Sequence, residues 1–254
     1  MSLHSLCIVL LTIAVASGRG LFVSDAAAAP AAISCRPCPL AANVILMIGL
    51  PSSDHRVNKM TQLWMERHSL RAQQRQRERT GETIPIITSY PADIGDFRQQ
   101  VQGIADQCMR IASLGIMSHG NLGYLQIGSD GVSVRNIDDA FGHGLGCVMS
   151  PGAFVEIGGC NVGRGCRGSN FMLAAATRLL QGGGRIVAPE SYVYGNAFLG
   201  IAPRSILGDR VLELDAAAPG PRWIRGGEPG LECSAQTQEP RGNSDSGNAV
   251  RPAH

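Results

Sequence analysis

The chain has 254 residues, of which 44% are hydrophobic and 17% are charged, and its formal net charge is +2. This length and composition suit one domain with a substantial core and exclude a chain that is disordered throughout. The small net charge gives no electrostatic basis for binding nucleic acid. The 32 glycines follow no Gly-X-Y period, which excludes a collagen-like fold.

The amino terminus has the pattern of a secretory signal peptide. Leu6 to Ala16 is an apolar run of 11 residues, too short to span a bilayer as a helix, and small residues follow it. We therefore assign residues 1–29 to a signal peptide that is cleaved between about residues 18 and 32. Because the first six residues carry no Lys or Arg, a retained membrane anchor is the alternative. No later apolar run reaches the roughly 18 residues of a spanning helix, so we expect a secreted, periplasmic or cell-envelope protein without a stable membrane span.

The rest of the chain alternates between predicted strands and helices. Asn43 to Leu50 is almost continuously apolar, which is typical of a strand buried on both faces of a parallel sheet. Such alternation predicts an α/β sandwich with a mostly parallel sheet. The predicted strands are 43–50, 84–88, 114–118, 153–157 and 185–188, with a hairpin of 124–127 and 132–134, and the predicted helices are 57–79, 96–112 and 168–181.

The predicted domain covers residues 40–214, and residues 215–254 are predicted to form a disordered tail. Beyond Asp215 the hydrophobic periodicity stops, and the last 21 residues are mostly Gly, Pro, Ser, Asn and Gln with scattered charge. A segment of this composition buries too little apolar surface to offset the entropy of ordering it.

Two of the predicted strands end in residues that carry chemistry. His119-Gly120 follows one strand and Gly159-Cys160 follows another, with the cysteine 41 residues after the histidine. Catalytic groups in α/β sheets gather at the carboxyl ends of strands. A thiol becomes a nucleophile at neutral pH when a base such as histidine is close to it. The backbone amides of Gly120 and Cys160 are then the candidates for an oxyanion hole.

The cysteine count favours the same assignment. The chain has eight cysteines, and removal of the signal peptide would take Cys7 with it and leave seven. Seven is an odd number, so at least one thiol remains unless a bridge forms between chains. Its position after a strand end makes Cys160 the best candidate for that thiol.

The two segments resemble bacterial caspase-like domains of uncharacterised function, which are often found near the start of large cell-surface proteins. Residues 117–128 read MSHGNLGYLQIG, and residues 159–163 read GCNVG, with Gly168 and Phe171 further on. The resemblance covers roughly Asn43 to Tyr194. CHAT peptidase-like domains share the same histidine and cysteine pattern and are the second resemblance.

This resemblance implies a caspase-like three-layer αβα sandwich and a cysteine endopeptidase that needs no cofactor or metal. His119 would be the general base and Cys160 the nucleophile, acting on a peptide or protein substrate or on the chain itself. In caspase-like folds, the strand and loop after the catalytic helix line the primary specificity pocket. The matching stretch contains Glu190, which would favour a basic side chain before the cleaved bond. An exposed loop carboxylate is the alternative for Glu190.

Structural roles are the alternative for Cys160 and His119. A bridge from Cys160 to Cys166 would make Cys160 structural, and His119 would then serve only as a hydrogen-bonding cap of its strand. In that case the protein would be a catalytically silent module that binds a partner at the envelope, with all its cysteines structural. His143 and Cys147, four residues apart, are candidate zinc ligands together with His119 or Cys160.

Three further features have simpler interpretations. The spacing of Cys35 and Cys38 is that of a redox pair or half a zinc site, but a local disulfide or a tether of the amino-terminal segment is favoured. The basic residues of 67–79 are expected to form a solvated helix face, with an anionic partner surface as the alternative. His55 and His68 are expected to be exposed.

Overall fold

The computed structural model describes residues 32–35, 37–38, 41–50, 55–191, 193–196, 201–205, 211–216 and 222–225. The predicted signal peptide and most of the predicted tail lie outside these residues. The strands are β1 Ala42–Gly49, β2 Ile86–Ser89, β3 Met109–Met117, β4 Gly120–Asn121, β5 Tyr124–Ile127, β6 Asp130–Ser133, β7 Met149–Ile157, β8 Gly184–Pro189, β9 Val193–Asn196, β10 Ile201–Ser205, β11 Val211–Asp215 and β12 Arg222–Arg225. The helices are α1 His55–Thr80, α2 Ile94–Asp106, α3 Ile137–Phe141 and α4 Gly165–Leu179, with a 3₁₀ turn at Leu145–Cys147.

A seven-stranded sheet organises the molecule, with the strand order β12-β11-β8-β7-β3-β1-β2. The five strands from β8 to β2 pair in parallel. Strands β11 and β12 continue the sheet in antiparallel fashion. The short strands β4, β5 and β6 form a separate antiparallel sheet that follows β3 in the chain. The prediction of an α/β fold with a mostly parallel sheet is confirmed.

Alternate residues of β1 show that both faces of the sheet are covered. Val44, Leu46 and Ile48 belong to a core cluster that also contains residues of α2 and α4. Ile45 and Met47 belong to a second cluster, with Trp64, Met65 and Ala72 of α1. Because successive side chains of a strand point to opposite faces, the two clusters lie on opposite sides of the sheet. The layers are therefore α1, the sheet, and α2 with α4, as in a three-layer sandwich.

The boundary between α2 and β3 differs from the prediction. A helix was predicted through Ala112, but α2 ends at Asp106 and Met109 to Ala112 belong to β3. Between the two elements Cys108 has a φ of 55°, a left-handed conformation that ends a helix. The apolar residues after it instead complete the buried central strand.

The carboxyl-terminal region contains more strand than the sequence predicted. The hairpin β9–β10 and the strands β11 and β12 were not predicted. Strand β12 lies inside the segment 215–254 that was expected to be disordered, and it pairs with β11 so that Asp215 faces Arg222. Short strands of this kind are set by backbone pairing at a sheet edge, which leaves little periodicity in the sequence.

Two disulfides fix the amino-terminal segment to the domain. Cys35 is bonded to Cys147 and Cys38 to Cys108, with Cα atoms 6.1 and 5.7 Å apart. Ile33 is buried and its N–H donates to the carbonyl of His143 at 2.7 Å. The CxxC pair therefore tethers the segment through two separate bridges and does not form a local disulfide.

Candidate functional site

The candidate site lies where β3 and β7 end. These neighbouring strands are parallel, and their register pairs Ile116 with Ile157. His119 and Cys160 each follow that pair by three residues. Adjacent strands lie about 4.8 Å apart, so both motifs emerge side by side at one edge of the sheet. The prediction that they follow neighbouring strands is confirmed.

Two glycines let the strand ends approach each other. A Cβ atom added to Gly120 would lie 3.0 Å from the Cα of Gly159 and would collide with the Val162 side chain. A Cβ atom added to Gly159 would in turn lie 3.1 Å from the Cα of Gly120. Only glycine allows this close approach of two backbones. The backbone segments that carry His119 and Cys160 therefore come together at this edge of the sheet.

Exposure of the two side chains fits a site open to solvent. His119 is exposed and Cys160 is half-buried. Cys160 is also a cysteine whose thiol is retained. The other five cysteines of the described residues are all in disulfides.

The cysteine pairing removes two of the alternatives. Cys166 is disulfide-bonded, but its partner is none of the other five described cysteines, so a bridge between Cys160 and Cys166 is excluded. Cys147 is bonded to Cys35 and has no thiolate to offer a metal, which excludes the alternative of a zinc site that includes Cys147. Among the described residues, no cluster of three or more His, Cys, Asp or Glu side chains suits a metal ion.

A tight turn follows Cys160. Asn161 has a φ of 55° and its carbonyl accepts a hydrogen bond from the Arg164 N–H at 3.0 Å. Asparagine tolerates this left-handed conformation better than most residues. Asn161 is also buried, and its Oδ1 finds no hydrogen-bond partner among the described residues. Sequence reasoning missed this residue, although an asparagine in a glycine-rich segment just after a predicted strand was a usable signal for a left-handed turn.

The end of β8 holds this turn in place. The Asn161 N–H donates to the Ser191 carbonyl, and the Gly163 N–H donates to the Pro189 carbonyl, both at 3.0 Å. Glu190 stands between these two acceptors and is half-buried. The structure thus places Glu190 beside the turn that follows Cys160.

Helix α4 begins five residues after Cys160. It was predicted to start at Gly168, but it starts at Gly165, and its N-cap residue Arg164 makes no side-chain capping bond. The first N–H groups of a helix carry a partial positive charge. This end of α4 therefore adds positive potential on the side of the site where the cysteine lies.

The hairpin after His119 directs the Gly120 amide. Gly120 pairs with Leu125 in the β4–β5 ladder, and the flanking hydrogen bond runs from the Gln126 N–H to the His119 carbonyl at 3.0 Å. Gly120 therefore occupies a non-hydrogen-bonded position, where the N–H points away from the partner strand. The Gly120 nitrogen lies 3.3 Å from the position of a Cβ added to Gly159. The Ser118 hydroxyl donates to the Gln126 carbonyl and fixes the hairpin to β3.

A buried aromatic and polar cluster supports the two strand ends from the α1 side. The Trp64 ring packs against Gly158, where an added Cβ would lie 2.7 Å from it. His68 stacks on Trp64 with ring centroids 4.0 Å apart. His68 Nδ1 lies 2.7 Å from Glu156 Oε1 of β7, a separation typical of an ion pair, although the ring nitrogen makes no hydrogen bond of regular geometry. The expectation that His68 is exposed was wrong, because the helix face that carries Trp64 turns it onto the sheet.

Fold and site together define an α/β protein with a histidine and a cysteine thiol after two neighbouring strands at the carboxyl edge of its sheet. Residues 79–202 match the family described as a domain of unknown function, DUF4347. The match covers 124 residues, slightly less than half of the 254-residue chain, and includes His119, Cys160 and Glu190. The family's description names no activity. No curated protein matches the chain.

No helix in the described part of the chain combines the length and the apolar character that crossing a bilayer requires. The longest of them, α1, has 26 residues but carries basic side chains through its second half.

Proposed function

We propose that the protein is a caspase-like cysteine endopeptidase, with Cys160 as nucleophile and His119 as general base. The observation that supports the proposal is the contact of Gly120 with Gly159, since these glycines adjoin His119 and the one described cysteine that retains its thiol. A nucleophile and a base at adjacent strand ends form the minimal constellation for covalent hydrolysis.

The proposed reaction has two stages. His119 takes the thiol proton while the Cys160 sulfur attacks the carbonyl carbon of the scissile peptide bond. The tetrahedral intermediate then collapses to a thioester, and the imidazolium of His119 gives its proton to the departing amine. Water, deprotonated by His119, hydrolyses the thioester and restores the thiol.

Backbone amides would stabilise the charge that develops on the substrate oxygen. The Gly120 N–H lies outside the hydrogen bonds of the β4–β5 ladder and on the side where Gly159 packs, which supports its role as one donor. The Cys160 N–H is the second proposed donor. Fixed donors of this kind act strongly because they are oriented before the reaction begins.

Glu190 would select the substrate. The hydrogen bonds of Asn161 and Gly163 to Ser191 and Pro189 hold the segment with Glu190 against the turn that follows Cys160. A half-buried carboxylate there would attract a Lys or Arg side chain before the cleaved bond. We therefore propose a preference for basic residues at that position.

We also infer that the protein is exported to the cell surface, the periplasm or the medium. The apolar run near its amino terminus and the disulfides of the described residues support this inference, because disulfides persist in oxidising compartments.

Cleavage of a peptide library by the purified, disulfide-bonded protein tests the proposal. Cys160→Ala and His119→Ala are each expected to lower kcat/KM by about a thousandfold or more. Cys160 is in no disulfide and His119 is exposed, so each variant should keep a thermal melting temperature close to that of the wild type. Cleavage that survives either substitution would refute the dyad. A wild-type protein that cleaves no peptide would instead favour the silent binding module.

A further inference from the structure

The second half of α1 has an inner side that lines a cavity. Ala72, Arg75, Gln76 and Arg79 follow the spacing i, i+3, i+4, i+7 and therefore share one face of the helix. This face and the sheet enclose a cavity of about 400 Å³. That volume lies in the range of small-molecule pockets, about 300–1,000 Å³. The basic segment of 67–79 is therefore more than a solvated helix face.

The cavity has an apolar floor and a basic rim. Its floor is formed by Ile45, Ile84, Ala112, Ala153 and Phe154. Three arginines, Arg75, Arg79 and Arg185, stand around the floor with one carboxylate, Asp215. The Asp215 carboxylate lies 3.8 Å from the Arg222 guanidinium, which offsets its charge. The net charge of the side chains that line the cavity is therefore positive.

The Arg75 guanidinium is partly buried and stacked on an aromatic ring. Its guanidinium lies 3.9 Å above the centre of the Phe154 ring, and its nearest carboxylate oxygen, Glu156 Oε2, is also 3.9 Å away. Burial lowers the pKa of Arg75, an effect that the charge of Glu156 partly opposes. Within the described residues, Arg75 donates no hydrogen bond. A partly desolvated fork of five N–H donors thus faces the cavity rim without an acceptor at bonding distance.

Arg79 is fixed by its neighbours. Its guanidinium donates to the Gly152 carbonyl at 3.1 Å and to Gln76 Oε1 at 2.9 Å. Gln76 itself is buried and donates to the Thr80 hydroxyl at 3.1 Å. Arg79 is therefore oriented before any ligand arrives, which lowers the entropy lost on binding.

We propose that this cavity binds a small amphipathic anion. A carboxylate or phosphate head would accept hydrogen bonds from Arg75 and Arg79, because the planar guanidinium matches both oxyanions. A short apolar chain would lie along the apolar side chains of the cavity lining. The cavity lies near the amino-terminal ends of β7 and β8, whereas Cys160 follows the opposite end of β7. The proposal therefore does not depend on the proposed peptidase activity.

Isothermal titration calorimetry with decanoate, below its micelle concentration, tests the site directly. We expect saturable binding with one site per chain. A second titration with decyl phosphate shows whether the site prefers a carboxylate or a phosphate head group. Binding of either compound supports the proposal. Decanol lacks the charge and acetate lacks the chain, so each should bind at least about tenfold more weakly. Absence of saturable binding by both decanoate and decyl phosphate, or equal binding of decanol, would overturn the proposal.

Two arginines of the same helix provide a matched pair of variants. Arg75→Gln should weaken decanoate binding by about tenfold or more, whereas Arg71→Gln, at an exposed position one turn earlier, should change it by less than about twofold. Equal effects of the two substitutions would contradict the site. If Arg75→Gln melts well below the wild type, Arg79→Gln takes its place with the same two outcomes.

Discussion

The backbones of Gly120 and Gly159 pack directly against each other: a Cβ atom on Gly120 would lie 3.0 Å from the Cα of Gly159. Each glycine sits next to one of the proposed catalytic residues, His119 and Cys160. The contact therefore brings together the backbone segments that follow the paired strands β3 and β7. The site depends on two residues that have no side chain to contribute.

Gly120→Ala is expected to disturb both the fold and the site. The added methyl group meets Val162 and the backbone of Gly159, neither of which can move without shifting the turn after Cys160. Overpacking of this kind costs about 1–3 kcal/mol of unfolding free energy, measurable by urea denaturation.

Gly103→Ala is the control for that substitution. Nothing lies within 4 Å of a Cβ at Gly103, and the residue is in helix α2. The substitution should therefore raise the free energy of unfolding by about 0.5–1 kcal/mol. Equal stability of the Gly120→Ala protein and the wild type would contradict the tight contact.

The two described disulfide pairs should contribute strongly to stability. They close loops with sequence separations of 112 and 70 residues, and the removal of a native disulfide typically costs about 2–5 kcal/mol. The double variants C35S/C147S and C38S/C108S are each expected to lose stability in that range. Cys160→Ser should cost clearly less, since Cys160 is in no disulfide. A loss from Cys160→Ser as large as that from a double variant would indicate that Cys160 is bridged.

The ion pair of Asp138 with Arg178 predicts a pH dependence of stability. The Arg178 guanidinium hydrogen-bonds both carboxylate oxygens, at 2.7 and 3.2 Å, and lowers the pKa of Asp138 below its ordinary 3.8. A carboxyl whose pKa is lowered in the folded state contributes stability that is present above about pH 4 and is lost as the pH falls through the folded value.

Asp138→Asn tests this dependence. Because the Asp138 side chain is 57% exposed, solvent screening limits the contribution to below about 1 kcal/mol. The variant should be slightly less stable than the wild type at pH 6, and the difference should shrink below pH 4. Urea denaturation at several pH values measures it, and 1 M NaCl should reduce the difference at pH 6. A difference that grows on acidification would contradict the assigned sign.

Glu190 should control which peptides are cleaved. Glu190→Gln removes the charge but keeps the shape, so kcat/KM for peptides with Lys or Arg before the cleaved bond should fall by about tenfold or more. Peptides with Leu at that position should be cleaved at a nearly unchanged rate. Glu82→Gln, at an exposed position after α1, is the control. An unchanged profile for Glu190→Gln would remove Glu190 from the specificity pocket.

The central sheet and its strand-end motifs were readable from the sequence because their signals are local. The apolar run at 43–50 predicts a buried parallel strand, and β1 is such a strand. The strands that precede His119 and Cys160 were also predicted, and their pairing places the motifs together. The glycines beside the two residues were interpreted as room for a substrate backbone, and the contact of Gly120 with Gly159 was not predicted.

Features that depend on tertiary structure could not be predicted from the sequence. Residues 104–112 carry apolar side chains that satisfy a helical spacing, and only the left-handed turn at Cys108 separates α2 from β3. Cysteine spacing does not determine disulfide connectivity, so the bridges of Cys35 and Cys38 could not be assigned. His68 is buried because Trp64 and Glu156 surround it, and Glu156 lies 88 residues away in the chain.

The most direct test of the proposed site is the rate at which iodoacetamide alkylates Cys160 at pH 7, followed by peptide mapping. In the wild type we expect alkylation at least about tenfold faster than that of free cysteine, because His119 is the proposed base that takes the thiol proton. His119→Asn should bring the rate close to that of free cysteine, while His143→Asn, which changes an exposed histidine elsewhere, should leave it unchanged. A wild-type Cys160 that resists alkylation, or that reacts equally fast without His119, would contradict the account.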